Sequence, residues 1–273
     1  MKNRLPNTML KIILFTLLLM STLFSFAQNN QVWNNKKCAV SLTYDDALNV
    51  HLDNAIPLLD SLGLKATFYL SGYSGALSNR INEWRAIAKN GHELGNHTLY
   101  HPCAGQRPGR EFVTPDYDLE NYSIKRISDE IKMTNTLLKA IDGKTQRTFA
   151  YPCGDIKIGD SLYLTATKNE FVAARCVKGE MLHLNQVDLY NIGCYGINGQ
   201  TGQELIALVK KAMENNTLLV FLFHGVGGEH GLNVSLKAHR ELLQFLKQNE
   251  KEIWIAPMLD VAEYIKANQS NAK

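Results

Sequence analysis

A parallel α/β fold is predicted by three features of this chain. Short runs of strand-forming residues alternate with segments whose apolar residues recur at helical spacing, and the alternation covers everything after the first 36 residues. Several runs are continuously apolar, as strands covered on both faces require. Ionisable residues gather where runs end, the edge at which parallel sheets place ligands.

Taken in order, the expected strands are 38–44, 66–70, 93–96, 148–151, 171–174, 189–192, 218–223 and 253–256. Between them, helical spacing marks 50–62, 82–89, 125–141, 203–214 and 235–247. In the third helix it is carried by Ile127, Ile131, Leu137, Leu138 and Ile141. No repeat or linker interrupts the pattern, so one domain is expected, as an open sheet or a barrel. Residues 101–122, with Gly105, Pro108, Gly109 and Pro115, read as a long surface loop of the kind that often carries function.

The first 27 residues read as a secretory leader: Lys2, Arg4 and Lys11 precede an apolar run over 12–20, and Ser25-Phe26-Ala27 offers a cleavage site. An uncleaved anchor is the competing reading, but the run is short for a span of about 20 residues. The expected organisation is leader 1–27, polar lead-in 28–36 and domain 37–268, with a secreted or periplasmic location and no stable membrane span after cleavage. The leader holds three of the 29 Lys and Arg and no acids, leaving 26 basic against 26 acidic residues. A formally neutral mature chain gives no reason to expect a nucleic-acid partner. Five cysteines leave at least one unpaired. Cys103 and Cys153 are the first pair to test, though small buried side chains are the plainer expectation for both.

Asp45 and Asp46 close the first run. A helix cap near Leu48 needs one carboxylate, so capping explains half of the pair. His97 and His101 follow the run at 93–96. Wound into one helical turn, residues four apart share a face and both imidazoles reach one ion, as in HExxH zinc sites but without the glutamate. His224 closes the run at 218–223. Two histidines and one aspartate make a common catalytic zinc set with open positions. The alternative for His97 and His101 is partial burial with bonds to backbone, which is the reading given to His51, His92, His183 and His239. His230, in the GGEHG loop, is within reach of a ligand but is not counted in the site.

These motifs together resemble the polysaccharide deacetylases, the NodB-homology group or carbohydrate esterase family four. Thr43-Tyr44-Asp45-Asp46-Ala47 stands for the family's T-F-D-D-G, and His97-Thr98-x-x-His101 for its H-[ST]-x-x-H. Phe149-Ala150-Tyr151-Pro152-Cys153-Gly154 stands for R-P-P-Y-G, and Leu222-Phe223-His224 for the closing L-x-H. The motifs keep the family order and span residues 38 to about 264.

The resemblance implies a distorted (β/α) barrel and metal-dependent hydrolysis of acetyl groups on sugars. It implies that Asp46, His97 and His101 hold a divalent metal, usually zinc, with Asp45 as general base and His224 as general acid. Leu222 lines the acetyl pocket, and Tyr151, Cys153 and Arg175 complete an oxyanion and substrate set, Cys153 through its backbone N–H. Two places depart from the pattern. The family arginine of the third motif falls on Ala150, and Arg175 is the candidate substitute ahead of Arg147. The Asp-Trp of the fourth motif has no counterpart, so His224 has no assigned partner. The implied partner is an acetylated polysaccharide: a GlcNAc-containing glycan losing N-acetyl groups, an O-acetylated xylan, or a glycan held by a barrel without activity.

Overall fold

The structure is a computed structural model that describes residues 32–269. The expected leader lies outside them. In chain order the strands are β1 (Cys38–Asp45), β2 (Thr67–Leu70), β3 (Glu93–Asn96), β4 (Phe149–Ala150), β5 (Lys157–Ile158), β6 (Ser161–Leu162), β7 (Ala174–Arg175), β8 (Tyr195–Gly196), β9 (Leu218–Phe223), β10 (Gly225–Val226), β11 (Asn233–Val234) and β12 (Ile253–Ile255). The α-helices are α1 (Ile56–Ser61), α2 (Gly75–Asn79), α3 (Ile81–Lys89), α4 (Ile124–Asp142), α5 (Gly202–Asn215), α6 (Leu236–Gln248) and α7 (Met258–Gln269).

The main sheet runs β7-β4-β3-β2-β1-β9-β8, with every pairing parallel. β1 is its axis. It pairs with β9 along one edge, while the other edge is divided between β12 at Cys38–Val40 and β2 at Thr43–Asp45. The chain itself ties the two ends of the sheet together. Ile192 pairs with Arg175 of β7, and Tyr195, three residues on, begins β8 beside β9. The result is a curled α/β half-barrel in a single domain, the distorted barrel that the sequence implies.

Strand alternation sorts side chains into two layers. On the outer face Val40, Leu42, Tyr44, Phe68, Leu70, Phe221 and Phe223 pack against the helices in one apolar cluster. The inner face differs: Ser41, Thr43, Asp45, Thr67, Glu93, Thr148 and Arg175 are all buried there or at its rim. Polar groups survive inside only if they are bonded. Glu93 accepts from Thr67 Oγ1, from Thr148 N and Oγ1 and from Leu259 N, at 2.7–2.9 Å. Trp33 of the lead-in is fully buried, and its indole N–H donates to Asn216 O.

Several elements differ from expectation for identifiable reasons. The strand expected at 171–174 forms at Ala174–Arg175, because Arg175 finds its counter-charge inside the barrel and need not end the run. The run at 189–192 contributes one bridge, at Ile192. Residues 51–55 form a π-helical turn that leads into α1. α7 was not expected, although Met258, Val261, Ala262 and Ile265 bury one helical face.

The long loop has no regular structure beyond two short turns, Pro115–Tyr117 and Leu119–Asn121. Cys103 and Cys153 are not separate buried side chains but a disulfide closing 50 residues of chain. Asp155, almost wholly buried, holds the same loop by accepting from Ala104 N, Arg107 and Arg110. Cys38, Cys176 and Cys194 stay free and buried. A covalent loop of this size restricts the unfolded chain, so replacing both bridged cysteines by serine is expected to cost about 2–4 kcal/mol. Urea denaturation of the oxidised protein and the variant checks this.

Candidate active site

The carboxyl ends of β1, β3, β7 and β9 meet at one edge, and the inward parity of each strand ends on a polar residue: Asp45, His97, Arg175 and His224. The backbone there is unusual. Asp46 (φ 83°), Ala47 (57°), Thr98 (63°), His101 (53°) and Cys153 (56°) are all left-handed without being glycine. Each such residue costs about 1–3 kcal/mol and persists only where its surroundings enforce it, a pattern concentrated at functional sites. At Asp46 and Ala47 the turn swings two consecutive carboxylates to the same side, which a continuing strand could not do. Residues 97–101 likewise form no helical turn. Left-handed Thr98 and His101 bring the two imidazoles together, their centroids 4.7 Å apart.

Asp46 stands at the centre of this edge. Its Oδ1 lies 3.5 Å from His97 Nε2 and 3.4 Å from His101 Nε2. The three donor atoms fall within 4.8 Å of one another. On the other side, Asp46 Oδ2 faces His224 at 3.9 Å and His230 at 4.0 Å. Burial alone would raise the Asp46 carboxyl, but the imidazoles of His101, His97, His224 and His230 outweigh it and hold it at about 2. His97 Nδ1–H donates to Ala150 O at 2.8 Å, so its Nε2 lone pair points inward. Burial pushes the same imidazole down to about 4, which keeps it neutral. A neutral imidazole and an ionised carboxylate are the protonation states that a divalent metal requires of its ligands. The donor set therefore fits such an ion.

Asp45 shares His97 with Asp46, its Oδ2 lying 3.6 Å from His97 Nε2, but its hydrogen-bonded partner is different. Its Oδ2 accepts from Arg175 Nη2 at 2.5 Å, and both side chains are buried. Its Oδ1 is buried with no hydrogen-bond partner. Burial opposes the guanidinium charge, yet the Asp45 carboxylate overrides this and holds Arg175 above its ordinary pKa. Arg175 is the register partner of Ala150 across β4 and β7, so its side chain enters from the adjoining strand over a residue too small to obstruct it. The Tyr69 ring lies 5.1 Å from the guanidinium, and its hydroxyl is bonded to Thr148 Oγ1. Gly95 makes room for that ring, since a Cβ there would sit 2.4 Å from Tyr69 Cδ1. Arg147 is occupied elsewhere, with Asp142 and the Leu94 carbonyl.

Of the remaining expected site residues, Leu222 is buried on the inner face between Thr43 and Gly196. The Cys153 sulfur is tied to Cys103, which leaves that residue no thiol to offer. The Tyr151 side chain does not come to the site. It packs edge-on against Phe149 and Tyr163, and its hydroxyl donates to Tyr190 O. The His224 ring is stacked on His230 at 4.7 Å, and its Nδ1 is buried without a hydrogen-bond partner. His51 Nε2–H donates to the His224 carbonyl and so fixes the backbone rather than the ring. His230 was left out of the expected site. Its only signal in the sequence is its place in a glycine-rich loop following a strand-end histidine.

A family model for polysaccharide deacetylases matches residues 33–171, about half of the chain. The chain belongs to the polysaccharide deacetylase family. The uncharacterized protein YlxY of Bacillus subtilis (strain 168) is 30% identical over 109 residues, covering 40% of this chain and 29% of its own length. A gellan lyase from a Bacillus species is 29% identical over 121 residues, 44% of this chain and 4% of that protein. The matches thus span well under two thirds of either relative. Among solved structures, a Mycobacterium smegmatis protein classed with the polysaccharide deacetylases superposes at a TM-score of 0.63 and 15% identity, covering 86% of this chain and 92% of that one. The peptidoglycan deacetylase PdaC of Bacillus subtilis superposes at 0.51 and 17% identity, covering 87% and 96%. At these identities the structural likeness is one of fold.

Two further histidines set a pH limit for this fold. Burial pushes His51 from an ordinary 6.5 to about 4, and His239, bonded to the Tyr44 hydroxyl, to about 3. Both are neutral when folded, so below pH 6.5 the unfolded chain binds more protons than the folded one. Their contribution is complete above that pH and declines as pH falls toward 4, by about 1.4 kcal/mol per unit for each histidine. Chelator-treated protein should therefore be less stable to urea at pH 5 than at pH 7; equal stability would contradict neutral burial.

Proposed function

We propose that this protein is a secreted, divalent-metal-dependent deacetylase that removes N-acetyl groups from GlcNAc-containing glycans of the peptidoglycan or chitin type. The observation that carries the reading is the pair of adjacent carboxylates in different company: Asp46 among imidazoles and Asp45 against Arg175. Secretion rests on the leader at 1–27.

Asp46, His97 and His101 would hold the ion, and zinc suits two imidazoles and a carboxylate. When bound, a divalent ion supplies Lewis-acid polarisation and lowers the pKa of a water. The chain's residues do the rest. Asp45, anchored through Oδ2, has Oδ1 free to take the proton of an attacking water, and Arg175 fixes the direction of that oxygen. The backbone N–H of Cys153 would stabilise the developing oxyanion, as the motif that it stands in implies. Leu222 offers the acetyl methyl an apolar wall. His224 delivers a proton to the departing sugar nitrogen. An amine leaves poorly without one, which favours the amide reading at a site with an imidazole facing the carboxylates.

The roles separate by variant. Asp45→Asn is expected to keep its metal content and lose nearly all turnover, whereas His97→Ala loses metal. Arg175→Ala leaves a buried carboxylate unpaired, which costs about 3–5 kcal/mol when such a pair is broken. It should lower turnover with metal retained, as read by metal analysis beside the rate. A fully active Asp45→Asn protein would refute the mechanism, whereas an unsubstituted protein that binds glycan and releases no acetate would return the barrel to glycan binding alone. Acetate release from chitin-type oligomers and from acetylated xylan, measured side by side, tests the substrate: release from xylan alone assigns the protein to O-acetyl esterases.

A further inference from the structure

His101 stands between the candidate metal set and a disulfide. Its Nε2 lies 3.4 Å from Asp46 Oδ1, while its Nδ1 lies 3.6 Å from Cys103 Sγ. A metal-binding imidazole ordinarily turns its second nitrogen to a carbonyl, a carboxylate or water. His97 does so, with the Ala150 carbonyl, but the Nδ1 of His101 meets only sulfur among the described residues. That sulfur is bonded to Cys153. A ring nitrogen of His101 and the two sulfurs all lie within 4.8 Å of one another.

The segments that carry the sulfurs are fixed independently of the bond between them. Cys103 O accepts from Leu119 N at 2.9 Å. Asp155 accepts from Ala104 N and from Arg110, and Arg110 also donates to the Cys153 carbonyl at 3.0 Å. Opening the bridge therefore leaves two thiols facing one imidazole. Two thiolates and an imidazole are a softer donor set than two imidazoles and a carboxylate, and they suit zinc and softer divalent ions. Cys103 is buried and Cys153 is partly exposed, so Cys153 is the end of the bridge open to an attacking thiolate.

We propose that the Cys103–Cys153 bridge is a redox switch on the candidate metal site, and that its reduced form is a second metal site made of Cys103, Cys153 and His101 Nδ1. A dithiol supplies the two electrons and two protons. Its thiolate attacks Cys153 Sγ, the S–S bond breaks, and Cys103 leaves as a thiolate that takes up a proton. The donor's second thiol then displaces Cys153, which takes the other proton, and the donor departs as a disulfide. A divalent ion replaces both thiol protons when it binds. A neutral imidazole has one ring nitrogen free to accept, so His101 serves one set at a time. Bound through Nδ1, it turns a protonated Nε2 to Asp46 and reduces the first set to Asp46 and His97. The activity that is switched rests on the functional reading above, whereas the second metal site stands on the placement of the sulfurs alone.

The test titrates the full metal-free chain with cobalt(II), oxidised and after reduction by a water-soluble phosphine that is then removed without air. The reduced chain is expected to bind about tenfold more tightly and to show a thiolate-to-cobalt charge-transfer band that the oxidised chain lacks. In the Cys103→Ser/Cys153→Ser variant reduction should bring neither change, which excludes Cys38, Cys176 and Cys194 as the source. With zinc in place of cobalt, reduction should lower acetate release from N-acetylglucosamine oligomers about tenfold, and reoxidation should restore it. Circular dichroism of the reduced chain should match that of the oxidised one. Loss of the fold on reduction, absence of the band, or its persistence in the double variant overturns the proposal. Equal acetate release in both states overturns the switch and leaves the functional reading standing. A chain that shows the band but releases no acetate in either state overturns the functional reading, and the switch of activity with it, while the second metal site stands.

Discussion

A guanidinium buried inside a barrel must meet a negative charge there, and in this protein the Arg175–Asp45 pair satisfies that requirement. Much of the site's surroundings can be understood as accommodation of the pair. Ala150 is small where Arg175 crosses it, the Tyr69 ring lies beside the guanidinium, and Gly95 leaves space for that ring. A buried ion pair contributes little net stability, but leaving either partner alone is expensive. The arrangement is therefore better understood as fixing the position and charge of Asp45 than as holding the barrel together. The Glu93 network with Thr67, Thr148 and α7, lower in the same interior, performs the structural role.

The site is assembled from backbone as much as from side chains. Left-handed Asp46 and Ala47 direct neighbouring carboxylates into one space, and left-handed Thr98 and His101 do the same for two imidazoles. Strain of this kind needs restraint. The disulfide between Cys103 and Cys153 supplies it directly, tying the loop after His101 to left-handed Cys153, with Arg110 bonded to the Cys153 carbonyl. Two long-range connections thus hold the segments whose local conformations are least favourable.

Much of the fold was legible in the sequence because strand and helix periods are local properties. The long buried runs, β1 and β9, and the amphipathic α4, α5 and α6 lie within a residue or two of where periodicity puts them. The short strands were harder. At β7 the charge of Arg175 reads as the end of a run, and only the carboxylate waiting on β1 makes it an inward strand residue. Tyr151 was misplaced for a related reason: its position in a motif says nothing of its side-chain direction, and it turns away toward Phe149 and Tyr163. His230 carried no periodic or spacing signal at all. Its place beside His224 depends on how the glycine-rich loop after β9 folds back.

By itself the sequence determined the layered α/β architecture, the strand ends that carry Asp45, Asp46, His97, His101 and His224, and the family they resemble. Hydrophobic period and motif order are written in consecutive residues. Only the tertiary structure decided that Arg175 stands against Asp45, that Cys103 is bonded to Cys153, and that Asp46 faces four imidazoles. These are meetings between residues far apart in the chain, and they are fixed by the curl of the sheet and the paths of its loops.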